Sequence, residues 1–191
     1  MKENNHKLFV ISGPGGVGKA TIIRGVLREK SLNLVRGLNA TTRAPRPTDK
    51  YDPHFKFVDK KKFKQMIKNG EVLEYNYLDN EYYGTLGPSL FAELKKHIVL
   101  MEADVNGALK IKEKIPEAIL IFLTCKLEFL EKRMQKRKDT KKEHIKYRLE
   151  LAKKEMSRAN EYDYTVENPE GHPEHAVDEV VKIIKKELQD H

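Results

Sequence analysis

Short apolar runs alternate with helix-spaced apolar positions along most of this chain. Leu8-Phe9-Val10-Ile11 reads as a buried strand, and Thr21-Ile22-Ile23-Arg24-Gly25-Val26-Leu27 reads as the helix that follows it. Asn33–Leu38 and His97–Met101 carry further strand patterns, and the second leads into a helix from Val105 to about Lys114. Ala118–Leu123 and Tyr162–Val166 complete the strands. A last helix runs from about Glu174 to Leu188, with Val177, Val180, Val181, Ile184 and Leu188 along one face. Buried strands alternating with amphipathic helices predict an α/β fold with a central parallel sheet flanked by helices.

Residues 39–88 break this rhythm. They hold Pro45, Pro47 and Pro53, the aromatic stretches Phe55-Lys56-Phe57-Val58 and Tyr75-Asn76-Tyr77, and one helix near Lys60–Lys68. The pattern predicts a small, mainly β module inserted in the core and serving a second substrate; the bland reading is a long loop. The expected division is a core of residues 7–38, 89–125 and 159–191, the module at 39–88 and a helical region at 126–158, all in a single domain.

Composition narrows the function classes. Hydrophobic residues make up 39% and charged residues 35%, and no run approaches the apolar length of a membrane span. The first residues, Met1–His6, lack the apolar stretch of a secretory signal, and Cys125 has no cysteine to pair with. These features fit a reducing, cytoplasmic setting. The net charge of +8 is concentrated: Lys126–Arg158 holds thirteen Lys/Arg against six Asp/Glu. Such a block suits a solvated helical face, a nucleic-acid patch or a lid over polyphosphate. Only Phe129 and Tyr147 interleave with it, which argues against base stacking and nucleic acid.

The chemistry starts at Gly13-Pro14-Gly15-Gly16-Val17-Gly18-Lys19, placed between the first strand and the first helix. Small residues let backbone N–H groups turn inward around a phosphate, and the helix N-terminus adds its dipole. Lys19 supplies a point charge for the outer phosphates. The usual hydroxyl after this lysine, which helps hold Mg²⁺, is replaced by Ala20, and Thr21 follows. The metal is then held by water and nucleotide oxygens or by Thr21, unless the loop has lost its catalytic role.

Thr41-Thr42-Arg43-Ala44-Pro45-Arg46 sets two arginines three apart on a proline-stiffened segment, suited to bidentate phosphate binding. Glu71-Val72-Leu73-Glu74 and Asn80-Glu81-Tyr82-Tyr83-Gly84-Thr85 follow. The order of the glycine-rich loop, Thr-Thr-Arg-Ala-Pro-Arg and Tyr-Tyr-Gly-Thr resembles the guanylate kinase family. The likeness continues through Met101–Gly107, Glu161–Tyr164 and Asn168, and so covers roughly residues 7–188.

The resemblance implies ATP and GMP as substrates, Mg²⁺ as cofactor and GDP and ADP as products. Gly13 through Thr21, with Asn168, are implied in ATP binding. Arg43 and Arg46 are implied as the clamp on the GMP phosphate, assisted by Tyr83. Glu74 is implied as acceptor for the guanine N1–H and amine, with Thr85 at a base contact and Asp104 as a base-side or metal-side carboxylate. Arg133, Arg137 and Arg148 match lid arginines, which accounts for the basic block. Departures accompany this match. Phe55 stands where the family has a phosphate-binding tyrosine, Asn39 where it has a serine near guanine O6, Glu102 where it has aspartate, and Gly15 where its loop has serine. Two other readings stay open: a guanylate-kinase-like protein-binding module, and a kinase for another phosphorylated acceptor. The sequence leaves the oligomeric state undecided.

Overall fold

Residues 7–47, 49–51, 53–135 and 142–189 are described in the computed structural model. The first strand, β1 (Leu8–Ser12), is buried along its whole length, as an apolar run in a parallel sheet must be. It pairs on one side with β7 (Ile98–Glu102), Leu8 opposite Val99, and on the other with β8 (Ile119–Thr124), Phe9 opposite Ile119. β2 (Leu34–Arg36) extends the sheet beyond β7, and β9 (Tyr164–Glu167) extends it beyond β8. The order is β2-β7-β1-β8-β9, and every pairing is parallel.

Strand alternation sends neighbouring side chains to opposite layers. Phe9 and Ile11 join Ile22, Ile23 and Val26 of α1 (Lys19–Val26) and Ala176, Val180 and Ile184 of α7 (Pro173–Gln189). Leu8 and Val10 join Leu90 of α3 (Gly87–Leu94) and Val105, Ala108 and Ile111 of α4 (Val105–Lys114). Full burial of each valine, leucine, isoleucine or phenylalanine among these contributes about 1.5–3 kcal/mol, so the two layers together fix the sheet that carries the phosphate loop.

A second sheet stands apart from the first, in the order β4-β3-β6-β5. It is built from β3 (Asn39–Thr41), β4 (Phe55–Phe57), β5 (Val72–Leu78) and β6 (Glu81–Leu86). Helix α2 (Lys60–Lys68) covers it with Phe63 and Met66, and Asp59 caps that helix by accepting from the Lys62 amide at 2.7 Å. Asp79 and Asn80, both at positive φ (52° and 64°), close the β5–β6 hairpin. At the other end of this hairpin a bulge between Val72 and Glu74 shifts the register, so Glu74 sits opposite Thr85.

The expected strands and the α2 and α4 helices are present. Two features exceed the sequence reading. The segment before β7 is a helix, α3, which starts at a Gly-Pro pair that reads as a turn but whose proline fits a first helical turn. Among its described residues the basic block contains two helices, α5 (Leu127–Gln135) and α6 (Lys142–Met156).

Candidate active site

The glycine-rich loop leaves the carboxyl end of β1 and enters α1, so its backbone amides and the helix N-terminus open on one cavity of about 330 Å³. Gly18 is required at its position: φ is 106°, and a Cβ there would come within 2.5 Å of the Asn168 amide nitrogen. The Lys19 ammonium donates to the Gly13 and Pro14 carbonyls at 2.7 and 3.2 Å, which holds the charge inside the loop. Ala20 and Thr21 line the same cavity, and Thr21 is exposed.

Two residues implied in nucleotide binding brace the loop from outside the cavity. The Asn168 amide donates to the Val17 carbonyl at 2.6 Å. Arg133 donates to the same carbonyl at 3.0 Å and pairs with Glu170 at 3.0 Å. Val17 itself is fully buried. Arg137 lies outside the described residues. Arg148, from α6, reaches the cavity and pairs with Asp79 of the hairpin turn, joining the basic region to the second sheet.

The far wall of the cavity comes from the second sheet. Arg43 grips the Asp49 carboxylate with two nitrogens, at 2.7 and 3.0 Å, and its guanidinium lies 4.8 Å from the Phe55 ring centroid and 5.2 Å from that of Phe57. Asp49 also accepts from the Arg46 amide at 2.5 Å, and the Arg43 hydrogen bond is the main influence lowering its carboxyl below the usual range. Arg46, Phe55 and Tyr83 line the cavity beside this pair. Burial pushes the Tyr83 phenol up, so it remains a neutral donor.

Deeper in, Glu74 is buried, and Thr85 donates its hydroxyl to Oε1 at 2.7 Å. Burial raises this carboxyl to about 7, reinforced by the nearby Asp104 charge. Glu102 behaves oppositely. Burial favours its neutral form, yet the His54 hydrogen bond at 3.3 Å and the charges of Arg36, His54 and Lys19 hold it down to about 2. Asn39 donates its amide to the Glu102 carbonyl at 2.9 Å, and its own buried oxygen has no hydrogen-bond partner among the described residues. Asp104 caps α4 by accepting from the Gly107 amide at 3.0 Å, and its Oδ1 also accepts from Asn76 at 3.1 Å.

The sequence reading did not include Arg36, Asp49, His54, Asn76 or Glu155. Glu155 projects from α6 into the cavity, where burial raises its carboxyl against the pull of Lys19 and of the Gly15 amide. Of the five, only Asp49 had a local signal: it lies three residues beyond Arg46 in the arginine segment.

A parallel sheet with a glycine-rich loop at the end of its central strand defines a P-loop kinase fold, here facing a second site of arginines and buried carboxylates. The guanylate kinase family profile matches residues 5–190. A guanylate kinase of Prochlorococcus marinus subsp. pastoris is 40% identical over 186 residues, 96% of this chain and 97% of that protein. One from Lactobacillus acidophilus is 38% identical, covering 94% of this chain and 88% of the relative. The crystal structure of guanylate kinase from Anaplasma phagocytophilum superposes with a TM-score of 0.78 at 25% identity, over 97% of this chain and 88% of that one. The chain belongs to the guanylate kinase family.

Proposed function

We propose that this protein transfers the γ-phosphoryl group of ATP to GMP, giving ADP and GDP. The observation that carries the reading is the Thr85–Glu74 pair, buried in the wall of the same cavity that the phosphate loop opens on. A carboxylate there accepts from the N1–H and amine of guanine; adenine has no matching donors, and an unpaired buried carboxylate makes the wrong base costly.

Phosphoryl transfer asks for in-line positioning and charge neutralisation rather than covalent chemistry. Lys19 and the loop amides serve the ATP phosphates, while Arg43, Arg46 and the Tyr83 hydroxyl serve the acceptor phosphate. Phosphate must replace Asp49 in the Arg43 fork or share it. Arg133 positions the loop by holding the Val17 carbonyl. Residues 39–88 act as the acceptor module and 126–158 as a lid bearing Arg137 and Arg148, which excludes water so that ATP is not hydrolysed.

The donor set suits Mg²⁺, a hard cation that keeps several waters. Among the described residues Asp104 accepts through Oδ1, which leaves Oδ2 to offer, and Glu102 adds a second ionised carboxylate. Bound there with ATP, the ion neutralises phosphate charge; Ala20 offers it no side-chain oxygen.

A coupled assay across GMP, dGMP, AMP, CMP and UMP tests the assignment. Guanine nucleotides are expected to be preferred by at least two orders of magnitude in kcat/KM, on the scale of discrimination by buried polar groups. Equal turnover of AMP would overturn it. Binding of neither ATP nor GMP would favour the protein-binding reading instead.

A further inference from the structure

The connection from β9 to α7 ends in a cluster that the proposed reaction does not use. The chain runs Gly171-His172-Pro173-Glu174-His175, and one ligand atom from each of His172, Glu174 and His175 lies within 4.8 Å of the other two. Local structure holds them together. Pro173 opens α7 with a backbone already set for a first helical residue. The His175 amide donates to the His172 carbonyl at 3.2 Å, closing a turn that brings the two imidazoles side by side, with centroids 5.4 Å apart. Glu174 Oε1 is 2.9 Å from His172 Nδ1.

We propose that His172, Glu174 and His175 bind a divalent transition-metal ion of the zinc class, at a site distinct from the nucleotide cavity. Two imidazoles and one carboxylate suit a borderline ion such as Zn²⁺, whereas Mg²⁺ selects oxygen ligands. Bonds of about 2.0–2.2 Å at tetrahedral angles place ligand atoms roughly 3.3–3.6 Å apart. The His172–Glu174 pair, at 2.9 Å, is a few tenths of an ångström closer than that and opens slightly to admit an ion, and rotation of the exposed His175 ring brings in the third ligand. The dipole of α7 opposes a cation at this end, and the Glu174 carboxylate offsets it. Neither cavity described in the structure reaches these residues, so the fourth ligand position faces water. The ion therefore joins the β9–α7 connection to the first turn of α7 and adds stability by mass action.

The test is titration of chelator-treated, untagged protein with Zn²⁺ by calorimetry and with Co²⁺ by visible absorption, without nucleotide. One ion per chain is expected, with a rise in Tm. Loss of an outer-shell partner weakens metal sites about 10–100-fold, so His172→Ala and His175→Ala should each weaken binding by more than about tenfold. His97→Ala, outside the cluster, should leave it unchanged. All three proposed ligands are exposed, so the variants should fold like the parent, as Tm in chelator will show. Absence of binding to the parent, or unaltered binding to either ligand variant, overturns the site. The outcome is independent of the kinase reading, because no measurement involves a nucleotide.

Discussion

Thr85 donates its hydroxyl to Glu74 Oε1 at 2.7 Å, in surroundings so dry that the carboxyl still rises to about 7. One neutral hydrogen bond does not offset the desolvation of a charge. Across the cavity, Glu102 has an imidazole and a guanidinium beside it and stays near 2. The cavity thus holds one carboxylate that waits for donors and one that already has them. Bound guanine would supply the donors that Glu74 lacks.

Glu74→Gln separates recognition from stability. An amide presents a donor to guanine's own donors, so kcat/KM for GMP should fall while KM for ATP stays near the parent value. The folded-state pKa of Glu74 is raised, so its contribution to stability is fully present below 4.5 and is lost as pH rises through about 7. The variant should therefore be more stable than the parent at pH 8, by up to about 3 kcal/mol, with the gap closing by pH 4. The parent's kcat/KM for GMP should climb through pH 7, and the variant should lack that step. Denaturant unfolding at both pH values and a pH–rate profile check this; equal stability at pH 8 would contradict it.

Gly107 lies against the same carboxylate. A Cβ there would come within 2.8 Å of Glu74 Oε2, so Gly107→Ala must displace the acid. Alanine is favoured over glycine inside a helix by up to about 1 kcal/mol. The expected result is a protein of near-parental stability whose KM for GMP rises well beyond its KM for ATP. Parallel thermal melts and initial-rate assays decide it. Unchanged GMP kinetics would place the base elsewhere.

Lys19 is held by the loop's own carbonyls at 2.7 and 3.2 Å, so its charge is aimed before any nucleotide arrives. Lys19→Ala should lower kcat by about two to three orders of magnitude, the scale for a preorganised donor at a developing charge. The fold should survive, because the ammonium contacts the loop rather than the core. Single-turnover rates with a circular dichroism check provide the measurement; parental turnover would remove the loop from catalysis.

Phe55→Tyr adds a hydroxyl to a half-buried ring that lines the cavity, its centroid 4.2 Å from that of His54 at a 44° tilt, under Arg43. If that hydroxyl meets the acceptor phosphate, a charge-assisted bond of about 1.5–3 kcal/mol should lower KM for GMP roughly tenfold or more. KM for ATP should not move. A lower Tm without tighter GMP binding would mean that the ring edge faces the sheet interior instead.

The alternation of apolar runs sufficed for the parallel sheet, because fully buried strands such as β1 leave continuous hydrophobic signatures. α2 and α4 were equally legible through their helical spacing. α3 was not, since Gly87-Pro88 reads locally as a turn and becomes a helix start only where Leu90 finds the core. The candidate site divides in the same way. Residues in unbroken motifs, such as Lys19 and Arg43, stand out from the chain itself. Arg36 and His54 join Glu102 from 66 and 48 positions away, and no local pattern marks such partners. Glu155 is similar: its helix reads as a solvated basic face until the fold turns one acid inward.

The place of β1 has a consequence for how the chain reaches its native state. Both neighbours of this strand come much later in the sequence, at Ile98–Glu102 and Ile119–Thr124, while the β5–β6 hairpin pairs residues from Leu78 and Glu81 out to Val72 and Leu86. Contacts of long sequence separation form slowly, because the intervening chain must be closed into a loop first. During synthesis the hairpin can assemble as soon as it emerges, but the phosphate-loop strand must wait, apolar and unpaired, for β7, about half-way along the 191 residues, and for its second neighbour until about two thirds of the way. The strand that carries the phosphate loop is therefore one that stays open to aggregation while the protein is being born.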